Sequence, residues 1–573
     1  MNYPYTEEAS IAREGKIFYE EAFEAIYDRR NALSTAHPFA AGVLGQGTDF
    51  VYRQGTVCVF NAGIVSVTDL NSQKKTARLD IQAIVRPVVE SKSRACGNFS
   101  VRLLYYSDKI LAVHAIPRNS SEDSHVFAIN TVASLPDSQR VIDSVQLASH
   151  SKLFARHNAH YLYYGTHTGI GDDGHHKWDI DGFSLHEGFP PPERERPVLL
   201  DRFHGSDIGS TAAFEIHNDY FYAVSNRGAH EVNEMDYTSF YQVARFPLNK
   251  PNKVQINDRV FRRNHKQGPI HDSWTDLSLQ LDERTNKTVI VESRREWAQA
   301  SSRQSRTFYV TEMDFGEEDD MEKLSNEDLP PYNDFCFDAS NSFQWKSTQD
   351  PYCSSQHAEF SPTDPSPRSF TRARTKFRAY SYPSTCFVEL VEDDQCCNDP
   401  SQPICLRLRI GSRRELGPDN APMSKKGETP IDGTRPTFVD TQSRYRQPPV
   451  CMWPPPASRC PCSARLHSIL NPSLPSTNQS THPFPTSRVT GILDSSRLVV
   501  MIKPKQTYSS NEHDAPGRIV VINFCRLPAA TSPTPLATGP SPLAQSDSKM
   551  REEVQSWNWS HNSMGRCGGR RCQ

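Results

Sequence analysis

The strongest constraint in this sequence is a hairpin that repeats. A short apolar segment, a turn of three to six residues and a second apolar segment recur along the chain. The first copy reads VCVF, Asn61-Ala62-Gly63, IVSV, and the second VRLLYY, Ser107-Asp108-Lys109, ILAVHA. The third is KLFAR, His157-Asn158-Ala159-His160, YLYYGT, and the fourth AAFEI, His217-Asn218-Asp219, YFYAVS. LSLQL, Asp282 to Lys287, TVIVES is the fifth; VTGIL, Asp494 to Ser496, RLVVMI is a late sixth. Each reads as strand, polar turn, strand. One more apolar strand follows each hairpin: VSVTDL, HVFAIN, KWDIDGFSL, SFYQVARF, RTFYVTEMDF and RIVVINF. In the first five copies these third strands recur every roughly 50 to 65 residues.

A small antiparallel sheet cannot bury both faces alone, so repeated sheets of this kind stack around an axis. The pattern predicts a mainly β chain, a β-propeller of about six to seven blades; a β-sandwich or two smaller β-domains is the alternative arrangement of the same strands. Helical patterns are nearly absent between the strands, which argues against a parallel α/β fold. A helix is predicted over Thr6–Arg30. Thr6 serves as N-cap, Glu7 and Glu8 lie in the first turn, Arg29 and Arg30 in the last, and Phe18, Ala22, Phe23, Ile26 and Tyr27 form one apolar stripe.

The expected organisation is an N-terminal helical segment at 1–37, the first part of the propeller at 38–314, an irregular insertion with a few strands at 315–486, closing strands at 487–526 and a disordered tail at 527–573. The insertion is inferred from acidic GEEDDMEKLSNED (Gly316 to Asp328), Ser/Pro/Arg-rich SPTDPSPRSFTRART (Ser361 to Thr375) and Pro-rich RQPPVCMWPPP (Arg446 to Pro456). Within it, short strands are expected at Thr385–Leu390 and Cys405–Ile410. Composition fits a partly unpacked chain: hydrophobic residues are 36% of 573 and prolines number 42.

The formal charge of -3 gives no global pull toward nucleic acid or anionic membranes, and neither is expected as a partner. No signal peptide or spanning segment is read, so the expected location is cytoplasmic or nuclear. The 14 cysteines then read as free thiols, and the N-x-S/T triplets at Asn98, Asn119, Asn286, Asn478 and Asn558 carry no weight.

The densest polar stretch is YLYYGTHTGIGDDGHHKWDIDGFSL, Tyr161 to Leu185. It carries His167, His175 and His176 with Asp172, Asp173, Asp179 and Asp181. Strand alternation sets Trp178 and Ile180 on one face and Asp179 and Asp181 on the other. Nothing in the spacing forces the convergent ligands zinc needs, so this reads as a solvated loop that could meet a partner through His175 and His176. Cys386, Cys396, Cys397, Cys405, Cys451, Cys460 and Cys462 include no C-x2-C pair. GSDIG (Gly205 to Gly209) places Asp207 where a nucleophile elbow has serine, and HEVNE (His230 to Glu234) ends in Glu234 where zincins have histidine. No catalytic residue, cofactor or metal is expected. Trp274, Arg294, Arg295 and Trp297, in HDSWTDLSLQLDERTNKTVIVESRREW, are candidate partner-binding residues at strand ends; the competing reading packs them between blades.

YDRRNALSTAHPFAAGVL, LLYYSDKILAVHA, YLYYGTHTGIGDDGHHKWDIDGFSL, GPIHDSWTDLSLQLDERTNKTVIVESRREW and CFVELVEDDQCCNDPSQPICLRLRIGSRRE together resemble filamentous-fungal F-box proteins. The resemblance runs from about Tyr3 to Phe524. It implies an F-box followed by a propeller-like region that acts as substrate receptor of a cullin-RING ubiquitin ligase. The residues before Pro38 lack the L-P-x-E-hydrophobic start of an F-box, so the chain resembles the substrate-binding part. A Skp-type adaptor and a cullin are then partners only through an F-box lying upstream, and the target protein is unknown. The other function class weighed is a propeller hydrolase or carbohydrate-binding protein.

Overall fold

The computed structural model describes residues 3–34, 36, 38–71, 76–92, 99–117, 124–193, 196–227, 239–263, 275–296, 305–313, 315, 356–357, 374–393, 404–412, 414–415, 445–446, 451–453, 461–471, 488–503, 515–525 and 556–558. Among the described residues its strands form six antiparallel sheets of four strands in sequence order and one of five strands that the N-terminal strand closes, a seven-bladed β-propeller. A two-stranded ribbon pairs Arg414–Glu415 with Tyr445–Arg446. Blade I runs from Asp49–Arg53 to Ala77–Asp80, blade II from Phe99–Ser107 to Val141–Gln146, and blade III from Phe154–His157 to Val198–Leu199. Blade IV runs from Ala212–His217 to Gln255–Arg263, and blade V from Asp276–Leu281 to Gln356–His357. Blade VI is Arg374–Ser381, Cys386–Asp393, Cys405–Ser412 and Cys451–Trp453.

Blade VII closes the ring. Its inner three strands, Arg488–Leu493, Arg497–Lys503 and Gly517–Asn523, come from late in the chain, and its fourth is Ala40–Gly47. Ala40 pairs with Asn523 and Gly47 with Gly517. The two ends of the propeller are thus held by one hydrogen-bonded ladder, which leaves neither as an open edge. Ser556–Asn558 adds a short strand outside Ala40–Gly42.

The core is divided among the blade interfaces, as expected for sheets with two buried faces. Alternate residues of one strand serve two interfaces. In blade II, Leu111, Val113 and Phe127 pack toward blade I, while Ala112, Val126 and Ala128 pack toward Leu153, Ala155 and Leu162 of blade III. Separate clusters join III to IV, IV to V, V to VI, VI to VII and VII to I. Every blade contact therefore has its own apolar seam, and the ring is complete without a sandwich-type second layer.

The N-terminal helix differs from the expected Thr6–Arg30. It is two helices, α1 (Glu7–Arg13) and α2 (Tyr19–Ser34). Thr6 does cap α1, its hydroxyl accepting from the Ala9 amide at 3.2 Å. Gly15, at φ 73°, turns the chain between them, and the Glu21 carboxylate accepts from the Phe18 amide at 2.8 Å to restart it. The expected stripe also splits: Ala22 and Ile26 are buried, while Phe18, Phe23 and Tyr27 face outward.

Among the described residues two further α-helices appear that the sequence reading did not place. α3 (Ile81–Lys92) follows blade I, with Asp80 accepting from the Ala83 amide at 2.9 Å and Ile81, Ile84, Val85 and Val89 buried in the seam between blades I and II. α4 (Pro461–Leu470) seats Leu466, Ile469 and Leu470 between blades VI and VII.

Residues 315–486, expected to be an irregular insertion, contain blade VI and α4. The segments Gly316 to Asp328 and Ser361 to about Thr375 (apart from 374–375), and the tail from 527 (apart from 556–558), lie outside the described residues.

Candidate functional site

First strands of successive blades line the axis, and four of them place side chains together there. Arg53 of blade I donates from Nη1 and Nη2 to Glu215 of blade IV at 3.2 and 3.1 Å. Tyr105 of blade II donates to the same carboxylate at 2.8 Å. The Arg53 and Arg156 guanidiniums lie 4.7 and 4.9 Å from the Tyr105 ring centroid, and Arg156 also donates to the Phe214 carbonyl. Burial would raise the Glu215 pKa, but Arg53, Arg156 and the Tyr105 hydroxyl outweigh it and hold the carboxyl below its ordinary value. Burial, and then the same carboxylate, push Tyr105 well up. The Ile216 amide donates to Glu215 as well, at 3.0 Å, so this is an ionised carboxylate that accepts four hydrogen bonds. It fastens blades to one another and is poorly suited to donate a proton.

A second buried cluster joins blades IV and V. Glu292 is fully buried and accepts from Tyr241 Oη at 2.6 Å, from Arg262 at 2.6 Å and from Asn226 Nδ2 at 3.0 Å. Burial opposes the charge, yet Arg262 and Arg294 hold the Glu292 pKa down to about 2. Arg294 belongs to this cluster. It was read as a partner-binding residue, but it is fully buried, with its guanidinium 3.7 Å from the Tyr309 ring centroid and donating to the Arg262 carbonyl. The reason is strand length: Thr288–Glu296 continues past the point where the sequence reading ended it, so Glu292 and Arg294 share the face toward blade IV. Arg295 pairs with Arg306 in the same ladder. Its side chain, and all of Trp274 and Trp297, lie outside the described residues.

The polar loop is placed as read. Tyr161–Ile170 and His176–Ser184 pair antiparallel with an irregularity between Thr166 and Gly169. His175 and His176 are exposed. Among the described residues no three His, Cys, Asp or Glu side chains are grouped to hold a metal. Sequence reasoning missed Lys177. It is buried, with Nζ 2.7 Å from Asp173 and 3.1 Å from His204 Nδ1, and its bond to Asp173 holds that carboxyl down at about 2. The loop is therefore clipped by this ion pair and by the Asp172 amide, which donates to Asp201 at 2.8 Å. Trp178 lies beneath it, fully buried, its indole donating to the Gly205 carbonyl at 2.6 Å. Gly205 of GSDIG is a packing residue: a Cβ there would stand 2.1 Å from the Thr211 carbonyl oxygen.

The helical hairpin makes the third polar assembly. Arg29 of α2 is buried and donates to Glu8 of α1 at 2.8 Å, to Glu283 in the first turn of blade V at 3.1 Å and to the Ser495 carbonyl in the first turn of blade VII at 3.1 Å. Arg30 reaches the other oxygen of Glu283 at 2.9 Å. The Ser412 hydroxyl of blade VI donates to the Ser34 carbonyl at 3.1 Å. The hairpin is thus tied to three blades. Arginines read as favouring the helix dipole instead pair with one buried carboxylate, Glu283, and one half-buried one, Glu8.

No protein-family model matches the chain, and no curated protein matches it. Solved structures similar to it include the extracellular domains 1–2 of Drosophila semaphorin 1a, at 9% identity and TM-score 0.31, covering 84% of this chain and 86% of that one. The WD40 domain of SCAP from fission yeast is similar at 9% identity and TM-score 0.29, with 82% of each chain covered. An α-L-arabinofuranosidase from Lactobacillus brevis is similar at 10% identity and TM-score 0.22, over 48% of this chain and 92% of that one. The propeller assignment rests on the strand pairing of this chain itself. No described helix is long and apolar enough to cross a membrane.

Proposed function

We propose that this propeller is a non-catalytic protein-interaction module, the substrate-binding region of an F-box-type ubiquitin-ligase receptor acting in the cytoplasm or nucleus. The observation that carries the reading is the fastening of α1 and α2 to blades V, VI and VII through Arg29, Glu8, Glu283, Ser495 and Ser34. A receptor works by proximity: it must hold its target at a fixed distance from the ligase machinery. That requires the segment leading into the propeller to move with the propeller as one body, and a buried arginine network provides it. The axial carboxylate, Glu215, is neutralised by Arg53 and spanned by Tyr105, so the hub resembles a rivet more than a hydrolytic centre.

The test is purification of the endogenously tagged protein from its own cells. A Skp-type adaptor and a cullin are expected in the eluate, and proteins held by the propeller are expected to turn over more slowly when the protein is deleted. An eluate without ligase subunits, together with unchanged turnover, would overturn the reading.

A further inference from the structure

The helix that ties the hairpin to the propeller wears its large apolar residues on the wrong side. Phe18, Tyr19, Phe23 and Tyr27 are 78%, 57%, 63% and 58% exposed. Tyr19, Phe23 and Tyr27 follow one another at four-residue spacing, so they form a line on one face of α2, and Phe18 lies just before the helix. The line spans about 12 Å at the helical rise. Together the four rings leave roughly 500 Å² of aromatic surface in water. Exposed apolar surface on that scale marks an interaction surface.

The charge of the face is one-sided. Glu20, Glu21 and Glu24 are exposed among the aromatics. The cations of the same helix, Arg29 and Arg30, reach Glu283, and Arg29 also reaches Glu8. The outward face is therefore aromatic and acidic.

We propose that this face of α2 docks a partner protein that presents an apolar surface bordered by lysine or arginine. A second copy of this chain would bring glutamates against glutamates, which costs free energy. An anionic lipid surface would be repelled for the same reason. A basic rim complements Glu20, Glu21 and Glu24 while the rings fill the apolar centre, in the manner of a helix laid into a groove. The helix is already ordered by Arg29, so docking loses little conformational entropy. Twice the exposed aromatic patch reaches the roughly 1,000 Å² expected of a specific interface. This surface is separate from whatever the propeller itself recruits.

The experiment titrates the full chain with two labelled helical peptides that share one leucine stripe, bordered by lysines in one and by glutamates in the other. The lysine peptide is expected to bind at least about tenfold more tightly, and its affinity is expected to fall as salt rises. In Phe23→Glu/Tyr27→Glu that preference is expected to disappear, with the melting temperature unchanged because both positions are exposed. If that variant does not fold, Phe23→Ala/Tyr27→Ala replaces it. Equal binding of the two peptides, or undiminished binding of the variant, overturns the proposal. Sedimentation on the same samples reads the competing occupant: a dimer that the variant abolishes would assign the face to a second copy.

Discussion

Arg29 and Glu283 lie 254 residues apart and meet at 3.1 Å, the first a buried helix residue, the second in the hairpin turn that opens blade V. Because both are removed from water, neither tolerates loss of the other. Deleting one partner of a buried pair leaves an uncompensated charge, which costs about 3–5 kcal/mol.

Arg29→Met is therefore expected to release the helical hairpin while leaving the propeller folded. Limited proteolysis should cut within residues 1–34 well before it cuts a blade, in contrast to the parent protein. Equal resistance of the two proteins would show that the network is not what holds the hairpin.

Glu292 joins blades IV and V through Tyr241, Arg262 and Asn226. Glu292→Ala is expected to lower stability by about 3–5 kcal/mol, read from denaturant midpoints, because two arginines lose their counter-charge in a dry seam. The pH dependence has a definite sign. The folded pKa of about 2 lies below the ordinary carboxyl value near 4.5. The stabilisation is therefore complete above about 4.5 and is lost as pH falls toward 2. The variant should show a shallower acid limb across that window.

Two histidines act at higher pH. His114 and His157 are both buried, and their pKa values are lowered to about 4. Burial is the leading cause for each; His150, Arg102 and His125 add to it at His114, and Arg53 at His157. Among the described residues neither ring nitrogen of His114 has a hydrogen-bond partner, so no bond there favours the cation. An unfolded histidine protonates near 6.5, so the unfolded state takes up protons first and stability falls as pH drops from about 6.5 to 4, by up to about 3 kcal/mol per residue. Replacing His114 by Gln should flatten that limb of the pH–stability curve.

What the sequence revealed and what it hid follow from where charge is buried. The hairpins VRLLYY/ILAVHA and AAFEI/YFYAVS were readable because apolar residues fill both faces of their blades. Blade VI was legible only in part: the strands read at Thr385–Leu390 and Cys405–Ile410 are its central pair. They were not read as a blade because they carry Glu389, Glu392, Asp393, Arg407 and Arg409 inside, all buried, with Arg409 on Glu389 at 2.5 Å and Arg407 on Asp393. Such charged positions read as surface until their cross-strand partners are known. The hub pair Arg53 and Glu215 is 162 residues apart in different blades, so no local spacing announces it. In α2 the expectation that size implies burial failed, since Ala22 and Ile26 face inward and Phe23 and Tyr27 outward. Pro87 inside α3 masked a helix whose Asp80 cap and Ile81, Ile84, Val85 spacing were otherwise visible.

The last prediction concerns the polar loop between Tyr161–Ile170 and His176–Ser184. His175 and His176 are exposed, so replacing both by Ala should change stability by less than about 1 kcal/mol. Trp178→Ala should cost about 3–5 kcal/mol, because it empties a site packed by Phe154 and Phe214, at ring-centroid distances of 5.4 and 4.9 Å, and leaves the Gly205 carbonyl without its donor. Lys177→Met separates the two layers of this arrangement. It leaves Trp178 in place but removes the cation between Asp173 and His204, so the loop should loosen while the blade stays folded. Amide exchange should quicken at residues 171–176, where the Gly171 and Gly174 amides bond within the turn, and not at the Tyr161–Thr166 ladder. Elemental analysis should find zinc below about a tenth of an equivalent, since a closed site needs four converging ligands. One equivalent of zinc lost on replacing His175 and His176 would instead make this loop a metal site.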